Sequence, residues 1–300
     1  MLLARLHGGP RGEFGREIAA DLAALVTRAE TDEGVGAVVI TGTHPERFVA
    51  HAELSWLQEG GAESPTVGPR GSSAVVHTAS VGRRIPGVRQ ALDRTPLSGA
   101  MELVGVHETF LRMNRCGAVF IAALNGSALG IGSELALACD YRLMAAGDNV
   151  IGQPEILLGF PPGGGGTQRL TRLVGAHQGL KLMLDGGGLD PETAVQIGYV
   201  DEVVAPDELL DHAVELADRL AQRLKFTVAA VKRTAYIGGS RSLEEGLHLE
   251  RAEFLSTLTS PGAQAAMLAY IARTEEMGDL PLYDPQTYEQ TLEAGRFERS

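Results

Sequence analysis

Between Arg16 and Glu30, apolar residues return every third or fourth position. Ile18, Leu22, Leu25, Val26 and Ala29 share one stripe, which predicts an amphipathic helix. Gly34 follows, and the next run, VGAVVITG, shows no alternation, as expected of a strand covered on both faces. A second such strand is AVFIAAL, Ala118–Leu124. It ends at Asn125-Gly126 and leads through SALGIG into a helix beginning near Gly132. YRLMAA reads as a further short strand, TQRLTRLVG as a helix stopping at Gly175, and YVDEVV as a returning strand. Asp190-Pro191 supplies an N-cap with proline at the first helical position, and Gly198 closes that short helix. From Pro206 onward the pattern is helical, over 207–224 and 227–236. Another helix is opened by the Ser242–Glu245 capping box and the last by Ser260-Pro261. Strand and helix alternate over the first two-thirds, so the chain reads as an α/β core, 1–205, with a helical region, 206–300. The polar stretch Glu59–Ser73, EGGAESPTVGPRGSS, predicts a mobile loop.

Three hundred residues with 44% apolar and 21% charged side chains make an ordinary globular composition. No apolar run reaches the length of a membrane span, and the N-terminal apolar segment is too short for a signal peptide. Two cysteines, Cys116 and Cys139, give no disulfide framework, so a reducing cytoplasm is the expected location. The net charge of −12 argues against general nucleic-acid binding, which needs a basic surface. From Arg70 to Arg115, seven arginines meet only three acids, a segment suited either to a phosphorylated ligand or to a solvated helix face.

Several familiar chemistries are excluded. PGGGGTQRL lacks the lysine of a phosphate-binding P-loop, and GIGSEL has Leu135 where a dinucleotide fingerprint needs its third glycine. No Gly-x-Ser-x-Gly elbow is present, and no histidine cluster has metal-ligand spacing, so no metal is expected. Two glutamates remain. Glu134 lies one turn into a helix, three residues after Ile131, whose N–H at the helix start is a candidate oxyanion donor. Read alone, Glu134 is first of all a favourable partner for the helix dipole. Glu155 stands between Pro154 and the apolar ILLGF. It reads either as a buried acid with a raised pKa, suited to proton transfer, or as a core salt bridge.

Four stretches together resemble the crotonase superfamily, the enoyl-CoA hydratase/isomerase family. ALNGSALGIGSELALACD, Ala123–Asp140, is similar to its AVNG-x-ALGGG-x-ELA-x-x-CD signature, and GQPEILLGFPPGGGGTQRL to its QPEI-x-LG-x-x-PG-x-GGTQRL signature. VGAVVITGTHPERFVAHAEL resembles the strand and loop written F-x-AG-x-D, and AVQIGYVDEVV resembles A-x-x-x-GLVDEVV. The likeness spans about Arg16 to Met277, with a gap between Glu53 and Arg115.

The resemblance implies a spiral of strand–strand–helix repeats and a C-terminal trimerisation region, in a homotrimer or a dimer of trimers. It implies acyl-CoA thioesters as ligands and no cofactor beyond the substrate's own coenzyme A. It makes Glu134 and Glu155 the catalytic pair, and Ala50 and Ile131 the oxyanion donors. His51, Ala52, Glu53, Gly130 and Gly163 would lie against the substrate. The implied reaction is hydration of a 2-enoyl-CoA, with isomerisation, thioester hydrolysis or non-catalytic acyl-CoA binding as alternatives. The chain departs from the pattern at His51 (usually glycine), Glu53 (usually aspartate) and Ile131 (usually glycine). It has one additional residue between Asp140 and Glu155 and a long insertion at about 54–115. The insertion falls where the family builds its acyl pocket, which points to an atypical acyl group.

Overall fold

The structure, a computed structural model, describes residues 1–63, 68–85, 87, 88, 95 and 97–298. Its strands are β1 (Leu2–Leu6), β2 (Ala37–Gly42), β3 (Arg47–Val49), β4 (Val119–Leu124), β5 (Ser127–Leu129), β6 (Tyr141–Ala145), β7 (Ile151–Gly152), β8 (Gly188–Leu189) and β9 (Glu202–Val204). Its α-helices are α1 (Arg16–Thr31), α2 (Leu54–Glu63), α3 (Pro69–Gly82), α4 (Ser98–Met113), α5 (Ile131–Ala138), α6 (Gly166–Val174), α7 (Ala176–Asp185), α8 (Pro191–Gln196), α9 (Leu209–Ala221), α10 (Lys225–Lys232), α11 (Leu243–Leu258), α12 (Pro261–Met277) and α13 (Pro285–Ala294).

A five-stranded parallel sheet runs in the order β1-β2-β4-β6-β9. Both its faces are covered, which is why its central strands carry no polar alternation. Val38, Ile40, Phe120, Ala122 and Leu124 point into the main core, where Ile18, Leu22 and Val26 of α1 are buried. Each such side chain contributes about 1.5–3 kcal/mol of burial, enough to hold α1 in place. Their neighbours Ala37, Val39, Val119, Ile121 and Ala123 point the other way, onto Leu209, Ala213 and Ala217 of α9.

A second, smaller sheet has the order β3-β5-β7-β8, with β3, β5 and β7 parallel and β8 antiparallel. Gly126 allows the two sheets to meet, because a methyl group there would lie 2.2 Å from the Glu46 carbonyl carbon. Gly132 does the same for α5 on β3, since its methyl would fall 2.1 Å from the Val49 carbonyl oxygen. Chain thus passes repeatedly from large-sheet strand to small-sheet strand to helix: β2, β3, α2; β4, β5, α5; β6, β7, then a 3-10 turn at Glu155–Leu158.

Two sequence expectations need correction. The segment Glu59–Ser73 is not a loop where it is described: 59–63 close α2 and 69–73 open α3, and 64–67 lie outside the described residues. Leu54, Trp56 and Leu57 face a cavity, and Pro69 stands in the first turn of α3, so local composition yields to packing. The N-terminal LLARL, left unassigned by pattern, is an edge strand whose backbone pairs with β2. The insertion is largely helical, comprising α2, α3 and α4. In its arginine-rich part, Arg83 pairs with Glu108 and Arg112 with Glu30, so these two cations serve helix packing; Arg89 and Arg94 lie outside the described residues.

At the C-terminal end, the Ser242 capping box forms as read from the sequence. Lys232 ties α10 to the core through Asp140 at 2.6 Å and the Ala118 carbonyl at 2.7 Å. No side chain of α11 is buried, and on α12 only Ala269 is. Among the described residues no helix is long and apolar enough to cross a membrane.

Candidate active site

The parallel register of the small sheet brings the site together. Arg47 lies beside Ser127, Val49 beside Ala128, and Ala128 beside Ile151. The carboxyl ends of β3, β5 and β7 therefore open on one edge, the usual place for a ligand in a parallel sheet. Residues 50–53, 130–134 and 153–155 leave from those ends. Glu134, Glu155, Ile131, Gly130, Ala52, His51 and Gly163 all line one cavity of about 500 Å³. The rest of its wall is mostly apolar, from Leu54, Trp56 and Leu57 on α2, Leu103 and Val106 on α4, and Leu158 and Phe160 after β7.

Glu134 is buried in the first turn of α5, and its Oε1 accepts from Gly164 N–H and Gly166 N–H, both at 2.7 Å. Burial pushes its pKa up, opposed by these two amides and by the nearby His107 and Arg169. The glycine run is needed for this approach: a methyl on Gly164 would lie 2.5 Å from Glu134 Oε2, and Gly165 has φ of 109°. Glu155 begins the 3-10 turn after β7 and is also buried. Its pKa is pushed up to about 7, first by desolvation and further by the charge of Glu134. The additional residue between Asp140 and Glu155 does not take the carboxylate out of the cavity. Gly130, at φ of 54°, passes directly beneath it: a methyl there would be 3.1 Å from Glu155 Oε1 and 3.6 Å from His51 Cβ.

Sequence reasoning misplaced one backbone donor. The Ala50 N–H is already spent on the Gly12 carbonyl at 2.7 Å, and Ala50 lines a separate polar cleft with Arg11 and Arg47. Two residues on, Ala52 forms a parallel bridge with Phe14, carried by Phe14 N–H to the His51 carbonyl and Glu53 N–H to the Phe14 carbonyl. In such a bridge the central residue's own N–H points the other way. Among the described residues neither Ala52 N–H nor Ile131 N–H donates to a protein acceptor, and both residues border the cavity. Ile131 is the first residue of α5, where amides are unpaired by construction. Glu53 is also misplaced: its Oε1 accepts from Ser55 Oγ at 2.7 Å and its Oε2 lies beside Gly15, away from the cavity wall. His51 borders both the cavity and the polar cleft, with Nδ1 donating to the Ala52 carbonyl at 2.7 Å.

Three further residues escaped the sequence reading. Hydrogen bonding fixes which end of the Gln153 amide faces Glu155. With nitrogen toward it, Gln153 donates to the two carboxylate oxygens at 3.2 and 3.3 Å, while its carbonyl accepts from Ser133 Oγ at 3.0 Å; reversed, oxygen would face only acceptors. Tyr199 Oη, whose pKa burial lifts to about 12, completes the series by donating to Ser133 Oγ at 2.5 Å. Gln153 and Ser133 stand inside quoted motifs, but nothing in one sequence separates a buried relay from ordinary core polarity. Tyr199 is brought in by long-range packing alone. Among the described residues, no three metal-binding side chains cluster.

Comparison with known proteins places the chain in a family. Residues 93–277 match the family described as Enoyl-CoA hydratase/isomerase. Over 254 residues the chain is 30% identical to a short-chain-enoyl-CoA hydratase of Clostridium acetobutylicum, covering 85% of this chain and 84% of that protein. A 153-residue stretch is 41% identical to a Dictyostelium discoideum protein named "Probable enoyl-CoA hydratase, mitochondrial", covering 51% of this chain and 55% of that one. The crystal structure of an enoyl-CoA hydratase from Geobacillus kaustophilus HTA426 superposes with a TM-score of 0.73 at 25% identity, over 91% of this chain and 90% of that one. The chain belongs to the enoyl-CoA hydratase/isomerase family and has the crotonase fold.

Proposed function

We propose that this protein is an enoyl-CoA hydratase, a hydro-lyase that adds water across the 2,3 double bond of an acyl-CoA thioester. One observation carries the reading. Two buried carboxylates with differently tuned environments share a cavity with two unpaired backbone amides. Burial raises both pKa values, but two glycine amides favour the charged form of Glu134, and this difference assigns the base and acid roles. Glu134, whose Oε1 takes two N–H bonds that favour its charged form, serves as the base; Glu155, its pKa pushed up to about 7, carries the proton.

A water between them reacts as follows. Its oxygen bonds to Cβ as one of its protons passes to Glu134, and the Glu155 proton is delivered to Cα. The π electrons move toward the thioester carbonyl, and the enolate oxygen is met by Ala52 N–H and Ile131 N–H. Such a donor is worth about 3 kcal/mol in comparable sites. Exchange of the proton from Glu134 back to Glu155 resets the pair, so the net change is one water added. No metal or redox cofactor enters the scheme. The apolar wall from α2 and α4 receives the acyl chain, and the polar cleft beyond His51 continues from the thioester end.

Glu134→Gln and Glu155→Gln are each expected to lower kcat by about 10²–10⁴-fold with the fold intact by circular dichroism. Product masses separate the chemistries: hydration adds one water, isomerisation leaves the mass unchanged, and hydrolysis releases free coenzyme A. Wild-type turnover in the Glu155→Gln variant, or release of free coenzyme A as the main product, overturns the assignment.

The exposed apolar side chains of α11 and α12, among them Leu243, Phe254, Leu255 and Ile271, support self-association into a homotrimer or a dimer of trimers through this region.

A further inference from the structure

His107 belongs to none of the motifs. It projects from α4, in the insertion, and its Nε2 lies 2.5 Å from the Gly163 carbonyl oxygen. A carbonyl can only accept, so the ring carries its proton on Nε2 and donates. The same peptide group presents Gly164 N–H to Glu134 Oε1 at 2.7 Å. Imidazole N–H, peptide carbonyl, peptide N–H and carboxylate thus form a single file.

We propose that His107 is a positioning residue for Glu134, acting through the Gly163–Gly164 peptide. A peptide joining two glycines has no Cβ on either side to resist rotation of its plane. Turned over, it would set a carbonyl oxygen against the buried carboxylate in place of an N–H, leaving that charge short of one donor. His107 holds the plane in the productive sense. It also polarises the peptide, which strengthens the N–H···Oε1 bond. The neighbouring peptide is braced similarly, by Arg169 Nη1 on the Gly164 carbonyl at 3.3 Å, and Gly166 N–H supplies the second donor to Glu134. The titratable groups around Glu134 are then Glu155 across the cavity, Arg169 from α6 and His107 from α4. Of these, His107 alone comes from the insertion, so that stretch contributes to the proton affinity of the base. This inference rests on the hydratase reading of Glu134.

The test compares His107→Leu, His107→Asn and His107→Gln in the full chain, with Glu134→Gln in parallel, using an enoyl-CoA as substrate. Glutamine can place an amide N–H near the position of Nε2; asparagine is too short to reach. Leucine and asparagine are expected to lower kcat by roughly tenfold, the equivalent of one hydrogen bond, with little change in KM. They should also move the acid limb of the kcat/KM profile to higher pH, because the base loses a stabilising donor. Glutamine is expected to restore most of kcat and the original limb. Wild-type kcat in the asparagine or leucine variant overturns the proposal. So do equal losses in all three variants with the acid limb unmoved, which would mean packing alone. Should the leucine variant fail to fold, the asparagine–glutamine pair decides. An active Glu134→Gln variant would instead remove the hydratase reading, an outcome independent of the His107 result.

Discussion

Glu155 sits in a place that water would not choose for a carboxylate, and its pH behaviour follows from that. With its pKa raised to about 7 in the folded chain against about 4.3 when unfolded, the folded state binds the extra proton throughout the interval between. Folding is therefore favoured below about 4.3 and loses this contribution progressively as pH rises toward 7. Two outcomes are expected. The kcat/KM of the wild type declines above about pH 7, as the proton needed at Cα is lost. In thermal melts, Glu155→Gln is the more heat-resistant protein at pH 8, and the difference closes below about pH 4.5. At this scale the sequence was partly readable. An acid flanked by proline and aliphatics announced burial, so Glu155 could be singled out. Which amide of this strand stays unpaired could not be read from the sequence, because that is decided by where Gly12 and Phe14 pack. Glu53 failed for a related reason: Ser55, two residues away, claims its carboxylate.

At the level of elements, the proposed chemistry requires α5 to lie close on β3, since these two carry Ile131 and lead to Ala52. Gly132→Ala would place a methyl 2.1 Å from the Val49 carbonyl oxygen, which is backbone and cannot rotate aside. The variant is expected to lose about 1–3 kcal/mol in urea unfolding through overpacking. Its kcat should fall further than that loss explains, because the two amides are pushed apart. A control, Gly147→Ala, has open space at Cβ but a φ of 116°, so it should report backbone strain with turnover preserved. The strands and helices of the core were legible because their hydrophobic periods differ. The insertion was not, since α2 carries two glycines and α3 is rich in glycine, serine and alanine. Those helices exist because Leu54, Trp56, Met101 and Val104 find apolar neighbours, information that lies far away in the chain.

For the whole molecule, α11 and α12 pose the central question of assembly. Phe254 and Leu255 are each 60% exposed and Leu243 79%, apolar surface that a partner chain would cover under the trimer proposal. Light scattering is expected to give a mass near three or six times the 31.7 kDa chain, and Phe254→Glu should lower it. A monomer at every concentration would end the trimer proposal. The sequence foretold a helical C-terminal region but not which side chains would be left uncovered, because a stripe looks the same whether its partner is internal or another chain.

The division of labour around the cavity has an evolutionary consequence. The acid pair and the two amides spring from the ends of the small sheet, while much of the apolar wall is furnished by α2 and α4 from a separate stretch of chain. Mutation can therefore remould this wall without disturbing the two carboxylates and the two amides. His107 is the point at which α4 touches the backbone that holds Glu134, so a redesign of the wall that alters α4 must keep that contact or change the setting of the carboxylate.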